Sequence, residues 1–236
     1  MDYFYCPPDH IAGTSFTIEG DEFAHLVHVM RKKTGDTIRI VDGQGTAYDA
    51  ILEDLKKKTA HGTLSATYNN HNEPELKVTL AAGLLKNPSR YDFLVEKTTE
   101  LGVHTIIPMK SRRVITGHSK TDRWQKLALA AMKQSCRSFL PEVTPLQTFE
   151  DVVQNDGGFD AKIIAHEQAD ATNIFRKESL AAKKNILILI GPEGGFTDEE
   201  VEDCIARGYQ TLYLGSRRLR TETAAITTLA LVMNGE

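Results

Sequence analysis

Ile186-Leu187-Ile188-Leu189-Ile190 is an unbroken apolar run, and it constrains this chain more than any other stretch. A strand with no polar position has no face to offer water, so it must lie inside a sheet covered on both sides, the usual setting of parallel strands. Gly191-Pro192-Glu193-Gly194-Gly195 follows at once, then Thr197-Asp198-Glu199-Glu200. There Thr197 is placed to cap a helix and Glu200 to reach back to it. The spacing predicts strand, glycine-rich turn, helix. A second apolar piece, Leu212-Tyr213-Leu214-Gly215, leads into Ser216-Arg217-Arg218-Leu219-Arg220-Thr221-Glu222-Thr223-Ala224-Ala225 and a final apolar helix. Two bends rich in glycine, arginine and glutamate thus leave two strand ends. That carboxyl edge is where open α/β sheets bind ligands.

The rest of the chain divides in two. Residues 1–72 read as a small β-rich unit. Asp21 to Met30 has the spacing of one short helix, Thr37 to Val41 alternates as a strand, and Asp42-Gly43 is a hairpin signal. Ala47 to Leu52 and Thr63 to Tyr68 supply further strands, so a small barrel or half-barrel is expected. The polar run Asn69 to Pro74 marks the boundary. Residues 73–236 alternate strand and helix: strands at Leu76 to Leu84, His104 to Pro108, Ala161 to Ala165, Asn185 to Ile190 and Thr211 to Leu214, helices at Tyr91 to Leu101 and Asp122 to Phe139. This rhythm predicts a mostly parallel sheet covered by helices.

No run of about 18 apolar residues exists, so a membrane span is not expected. The N-terminus lacks the basic and apolar regions of a signal peptide, and a cytoplasmic protein is expected. Cys6, Cys136 and Cys204 are too few and too scattered for a disulfide framework or a zinc site. No metal motif is found. The net charge is −4, but Lys110 to Arg137 holds eight basic residues and only Asp122 on the acidic side. At about 100° per residue, Arg123, Lys126, Lys133 and Arg137 fall on one side of the predicted helix. A solvated face is the ordinary meaning of such a stripe. The scarcity of interleaved acids favours contact with a phosphate backbone, with Lys110, Arg112 and Arg113 just upstream.

Taken alone, Gly191 to Gly195 reads first as a tight connection, and second as bare backbone that a ligand edge can approach. It is neither a dinucleotide nor a triphosphate loop. Arg217, Arg218, Arg220 and Glu222 form either a salt-bridged helix start or an anion-binding group. His25 and His28 lack a third ligand, and no serine or cysteine has a recognisable paired base.

These residues resemble a known family. Gly191-Pro192-Glu193-Gly194-Gly195-Phe196 and Leu214-Gly215-Ser216-Arg217-Arg218-Leu219-Arg220-Thr221-Glu222-Thr223-Ala224 resemble the C-terminal signature of the bacterial 16S ribosomal RNA uridine-N3 methyltransferases, of the SPOUT class. Glu96 to Val103, Arg123 to Lys126 and Gln134 to Arg137 resemble its internal motifs, and His25 to Arg31 with Gly35-Asp36 its N-terminal domain. Arg218 stands where that family usually has an aliphatic residue, and Asp2 to Pro8 lacks the arginine many members carry.

The resemblance implies an α/β protein with an N-terminal PUA-like RNA-binding β-barrel. A SPOUT-type parallel sheet would follow, with helices on both faces and a trefoil knot. It further implies S-adenosylmethionine as methyl donor, a homodimer, and 16S rRNA in the small ribosomal subunit as substrate. On that basis the donor site is expected at Ile190, Gly191, Gly194, Gly195, Leu214, Gly215, Leu219 and Thr223, with His166 and Glu167 on the same edge. Arg220 is expected to stabilise charge on the uridine oxygens, and Glu222 to orient that arginine or relay a proton; the alternative is that both only shape the donor loop. RNA contacts are expected from Arg31, Lys110, Arg112, Arg113, Arg123, Lys126, Lys133 and Arg137. Another SPOUT enzyme acting on tRNA or a ribose 2′-hydroxyl, or a non-catalytic RNA-binding assembly factor, would share this fold.

Overall fold

The computed structural model describes residues 3–115, 119–167 and 176–233. Its contacts divide the chain into two units, Met1–Glu73 with Leu129–Leu140, and Pro74–Ala128 with Pro141–Glu236.

The first unit is a six-stranded sheet. In chain order it holds β1 (Tyr3–Tyr5), β2 (Ile11–Ala12), β3 (Ser15–Glu19), helix α1 (Gly20–Ala24), β4 (Thr37–Val41), β5 (Thr46–Leu55) and β6 (Thr59–Asn69). The spatial order is β1-β4-β5-β6-β3-β2, antiparallel throughout except for β1 beside β4. Register shifts after Asp49 and Leu52 break the long β5–β6 ladder, and such bulges let a sheet bend around its own core. Phe4, Phe16, Ile18, Leu26, Ile38, Ile40 and Leu52 fill that core. At the expected hairpin, Asp42 Oδ1 accepts the N–H groups of Gln44 and Thr46. The helix expected over Asp21 to Met30 is two pieces, α1 and a wider turn at His25–Val29 that ends with Met30 N–H on the His25 carbonyl.

Glu73 explains why Leu129–Leu140 belongs here. Its Oε1 accepts the N–H groups of Ser138 and Phe139, both at 2.8 Å, and its Oε2 pairs with the Arg137 guanidinium at 2.7 Å. Both side chains are buried. Arg137 is therefore not a surface cation, which corrects its expected RNA contact. Neither is it on the helical stripe, because the helix ends at Gln134, earlier than Phe139. Cys136 takes a left-handed φ of 58°, which no helix continues through.

The second unit holds β7 (Lys77–Gly83), α2 (Pro88–Glu100), β8 (Thr105–Lys110), α3 (Thr121–Gln134, whose last turns count with the first unit), β9 (Glu142–Val143), β10 (Gln147–Thr148) and α4 (Phe149–Gln154). β11 (Ala161–Ala165), β12 (Asn185–Ile190), α5 (Asp198–Ala206), β13 (Gln210–Leu212) and α6 (Thr221–Met233) complete it. Six strands run β10-β8-β7-β12-β11-β13, all parallel, with β9 beside β8. The apolar run lies on β12, between β7 and β11. Leu187 and Leu189 share a core with Val152, Val153, Val201 and Cys204 of α4 and α5. The alternate residues Ile186, Ile188 and Ile190 face the other side, where α6 touches β7 and β12 and packs on α2. Each of these side chains is wholly buried or nearly so, and contributes about 1.5–3 kcal/mol.

Capping matches the sequence at α5, where Thr197 and Glu200 exchange side-chain and backbone bonds. Asn87 caps α2 by accepting from Ser89 N–H, and Pro88 occupies the first turn. Among the described residues no helix is long and apolar enough to cross a membrane.

Candidate functional site

Three strand ends meet at the carboxyl edge of the parallel sheet. β12 delivers Ile190 into the bend Gly191–Gly195, where Gly195 N–H closes a turn on the Pro192 carbonyl at 2.9 Å. This bend runs hard against the end of β7, for a Cβ on Gly83 would lie 2.5 Å from Pro192 N. Gly195 adopts a φ of 69°, a conformation that favours glycine. β13 delivers Leu212 into the second bend, and His166, just past β11, donates its N–H to the Leu212 carbonyl at 3.1 Å. The two bends and the end of β11 line one hollow, with about 760 Å³ of space free of protein atoms, part of it open to solvent. A concave lining that mixes apolar side chains with a few polar groups is typical of small-molecule sites.

Nine of the ten residues expected at a donor site line this hollow: His166, Glu167, Ile190, Gly191, Gly194, Gly195, Leu214, Gly215 and Leu219. Thr223 does not. α6 begins at Thr221, so Thr221 and Ala224, three apart, face the hollow while Thr223 points to solvent. Arg220 is exposed and outside the lining. Phe196, Arg217 and Arg218 line the hollow although sequence reading gave them no role there. The chemistry is mixed: apolar side chains for a flat ring, bare backbone for its polar edges, a carboxylate at Glu167, and guanidinium groups at the rim.

Glu222 has a partner that the sequence did not offer. Its carboxylate is forked by Arg90 of α2, Nε to Oε1 at 2.9 Å and Nη2 to Oε2 at 2.7 Å, with the charge of Arg220 nearby. Burial pushes the Glu222 carboxyl up, but the Arg90 fork and neighbouring charge outweigh it and leave the group below its ordinary value of 4.5. A carboxylate held ionised in this way is a poor proton acceptor. No spacing in the sequence points to Arg90, since the partners are 132 residues apart.

The basic residues scatter. Arg113 lies on the hollow, its guanidinium donating to the Gly194 carbonyl at 2.8 Å. Arg112 is exposed, its N–H donating to Glu200 Oε1 at 2.9 Å and its guanidinium 3.6 Å from Glu199. Arg31, Lys110 and Lys126 are exposed. Arg123 is exposed but paired with Asp92 at 2.7 Å. Lys133 is paired with Glu22 at 2.6 Å and has little exposure, as Arg137 is paired with Glu73. The acids missing from Lys110 to Arg137 are supplied by other parts of the fold.

Residues 72–233, which hold the parallel sheet and its glycine-lined hollow, match the RNA methyltransferase domain family, and residues 18–65, within the β unit, match the RNA methyltransferase PUA domain family; the chain is an RNA methyltransferase by class. The ribosomal RNA small subunit methyltransferase E of Bacillus subtilis is 32% identical, over 92% of this chain and 89% of the relative. A crystal structure of the protein of that name from Neisseria gonorrhoeae, bound to S-adenosyl methionine, superposes with a TM-score of 0.85 at 30% identity, covering 98% of this chain and 95% of that one. A putative methyltransferase from Legionella pneumophila, in complex with the bound cofactor SAM, gives 0.83 at 28% identity, over 98% and 96%. The chain belongs to the ribosomal RNA small subunit methyltransferase E family.

Proposed function

We propose that this chain transfers a methyl group from S-adenosylmethionine to N3 of a uridine in 16S rRNA, on the small ribosomal subunit in the cytoplasm. The observation that carries the proposal is the hollow shared by the bends after β12 and β13. Its residues fit the donor. A Cβ on Gly191 would lie 3.0 Å from Gly195 C, so the backbone there is bare and tightly folded. Ile190, Leu214 and Leu219 would enclose the adenosine, backbone groups of Gly191, Gly194, Gly195 and Gly215 would meet its polar edges, and Glu167 its ribose hydroxyls. The bound donor supplies an electrophilic methyl group on a sulfonium centre.

This chain's residues then position the base and manage charge. Loss of the uridine N3 proton leaves negative charge on the base oxygens, and Arg220, exposed one residue before α6, is the group we assign to it. Glu222 is assigned no proton, because its fork with Arg90 favours the ionised form. Arg112, Arg113, Arg123, Lys110, Lys126 and Arg31 are read as contacts to folded RNA, recognised by shape and phosphates.

The larger organisation belongs to the same reading. Residues 1–72 are taken as the PUA-like RNA-binding domain and 73–236 as the SPOUT domain. β13 lies at the sheet edge beyond β11, yet the following α6 packs on β7, β12 and α2, so the chain recrosses the carboxyl edge. That recrossing supports the threaded, knotted connection. Phe93 of α2 and Leu231 of α6 are about half exposed on helices that pack together, which supports a homodimer covering them.

Nucleoside analysis of ribosomal RNA tests the function. A strain lacking this protein is expected to lose one N3-methyluridine from 16S rRNA and regain it on complementation. Loss of a tRNA or 2′-O-methyl mark instead would refute the assignment.

A further inference from the structure

One side chain outside the hollow touches the first bend and the residue that follows the second. Arg90 forks Glu222, at the start of α6, and its Nη1 donates to Glu193 Oε1, in the first bend, at 3.2 Å. Glu193 Oε1 also accepts the Lys86 N–H at 3.1 Å. The segment leading into α2 is thereby bonded to both walls. Resting on the methyl-donor reading of the hollow, we propose that Arg90 is a positioning residue that holds the bends 191–195 and 214–221 in register so that the donor site is formed before the donor arrives.

An ordinary exposed ion pair would carry little of this. Here the Glu222 side chain is 9% exposed and that of Arg90 23%, and the fork is bidentate, the geometry in which guanidinium–carboxylate pairs are strong and directional. No other described cation bridges the two bends. The groups facing Glu222 are Arg90 from α2 and Arg220 from its own bend, with Glu193 on the far side of the guanidinium. Because the folded value of Glu222 is lowered, its contribution to stability is whole above about 4.5 and is lost as pH falls through the lower folded value. Without Arg90, burial is opposed only by the group's own backbone hydrogen bond and by Arg220, so the folded value rises and this contribution shrinks.

Hydrogen exchange on the ligand-free protein and calorimetry with S-adenosylmethionine test the proposal together. In Arg90→Gln, amides of both bends are expected to exchange on the order of tenfold faster, with β11 and β12 unchanged, and donor affinity to fall on the order of tenfold. Arg90→Lys should restore part of the affinity. Glu193→Ala removes the acceptor of one arm and should loosen 191–195 alone, which decides the matter if Arg90→Gln does not fold. Wild-type exchange in the bends of Arg90→Gln, or in 191–195 of Glu193→Ala, would overturn the brace. Failure of the wild type to bind the donor would instead overturn the methyl-donor reading, leaving the exchange result to stand.

Discussion

Arg137 and Arg112 carry the same charge and lie in the same basic stretch, yet the fold gives them opposite tasks. Arg137 is sealed against Glu73 and ties Ser138 and Phe139 to the first unit, whereas Arg112 reaches solvent. Removing one partner of a buried pair strands the other charge, so Arg137→Ala is expected to cost about 3–5 kcal/mol in urea unfolding. Arg112→Glu with Lys126→Glu should leave that midpoint within error. It should weaken association with small-subunit RNA and flatten its salt dependence, by about one unit of log–log slope for each phosphate no longer neutralised. A helical wheel sees only the residues of its own helix. Glu22, Glu73 and Asp92, which claim Lys133, Arg137 and Arg123, come from elsewhere in the chain.

At the scale of elements, legibility follows burial. β11 and β12 stand where the sequence placed them; β12, covered on both faces, is apolar from Ile186 to Ile190, while β11 admits Lys162 among its apolar residues. β13 stops at Leu212 rather than Leu214, because the chain turns there into the second bend. β1, of three residues, is too short for alternation to declare itself, whereas β3 does alternate, with Phe16 and Ile18 buried, and passed unread. α3 is shorter than its pattern because one backbone angle at Cys136, invisible to hydropathy, ends it. The bend Gly191–Gly195 was legible as glycine-rich, but its crowding was not. A Cβ on Gly194 would lie 3.1 Å from Arg113 Cβ, so a branched side chain must displace either the bend or the arginine. Gly194→Val is expected to reduce S-adenosylmethionine affinity at least about tenfold by calorimetry, with the thermal midpoint little changed. Undiminished binding would remove this bend from the donor site.

At the scale of the molecule, α6 is apolar on nearly every side, yet Leu231 and, on the helix α2 that packs against it, Phe93 remain substantially exposed. A helix of that kind belongs in an interior. If a second copy covers this face, Phe93→Glu with Leu231→Glu should give a monomer by sedimentation velocity, and the melting temperature should no longer rise with protein concentration. A monomeric wild type would overturn the dimer. The order of strands has a further effect, on time rather than on affinity. β12 is inserted between β7 and β11, and β7 precedes it by a long stretch of chain. Closing so large a loop is slow, and no partial sheet offers the newcomer a finished groove. A cavity at Ile188 should therefore register first as sluggish refolding, with a chain that lingers half-built and prone to aggregate before it ever meets a ribosome.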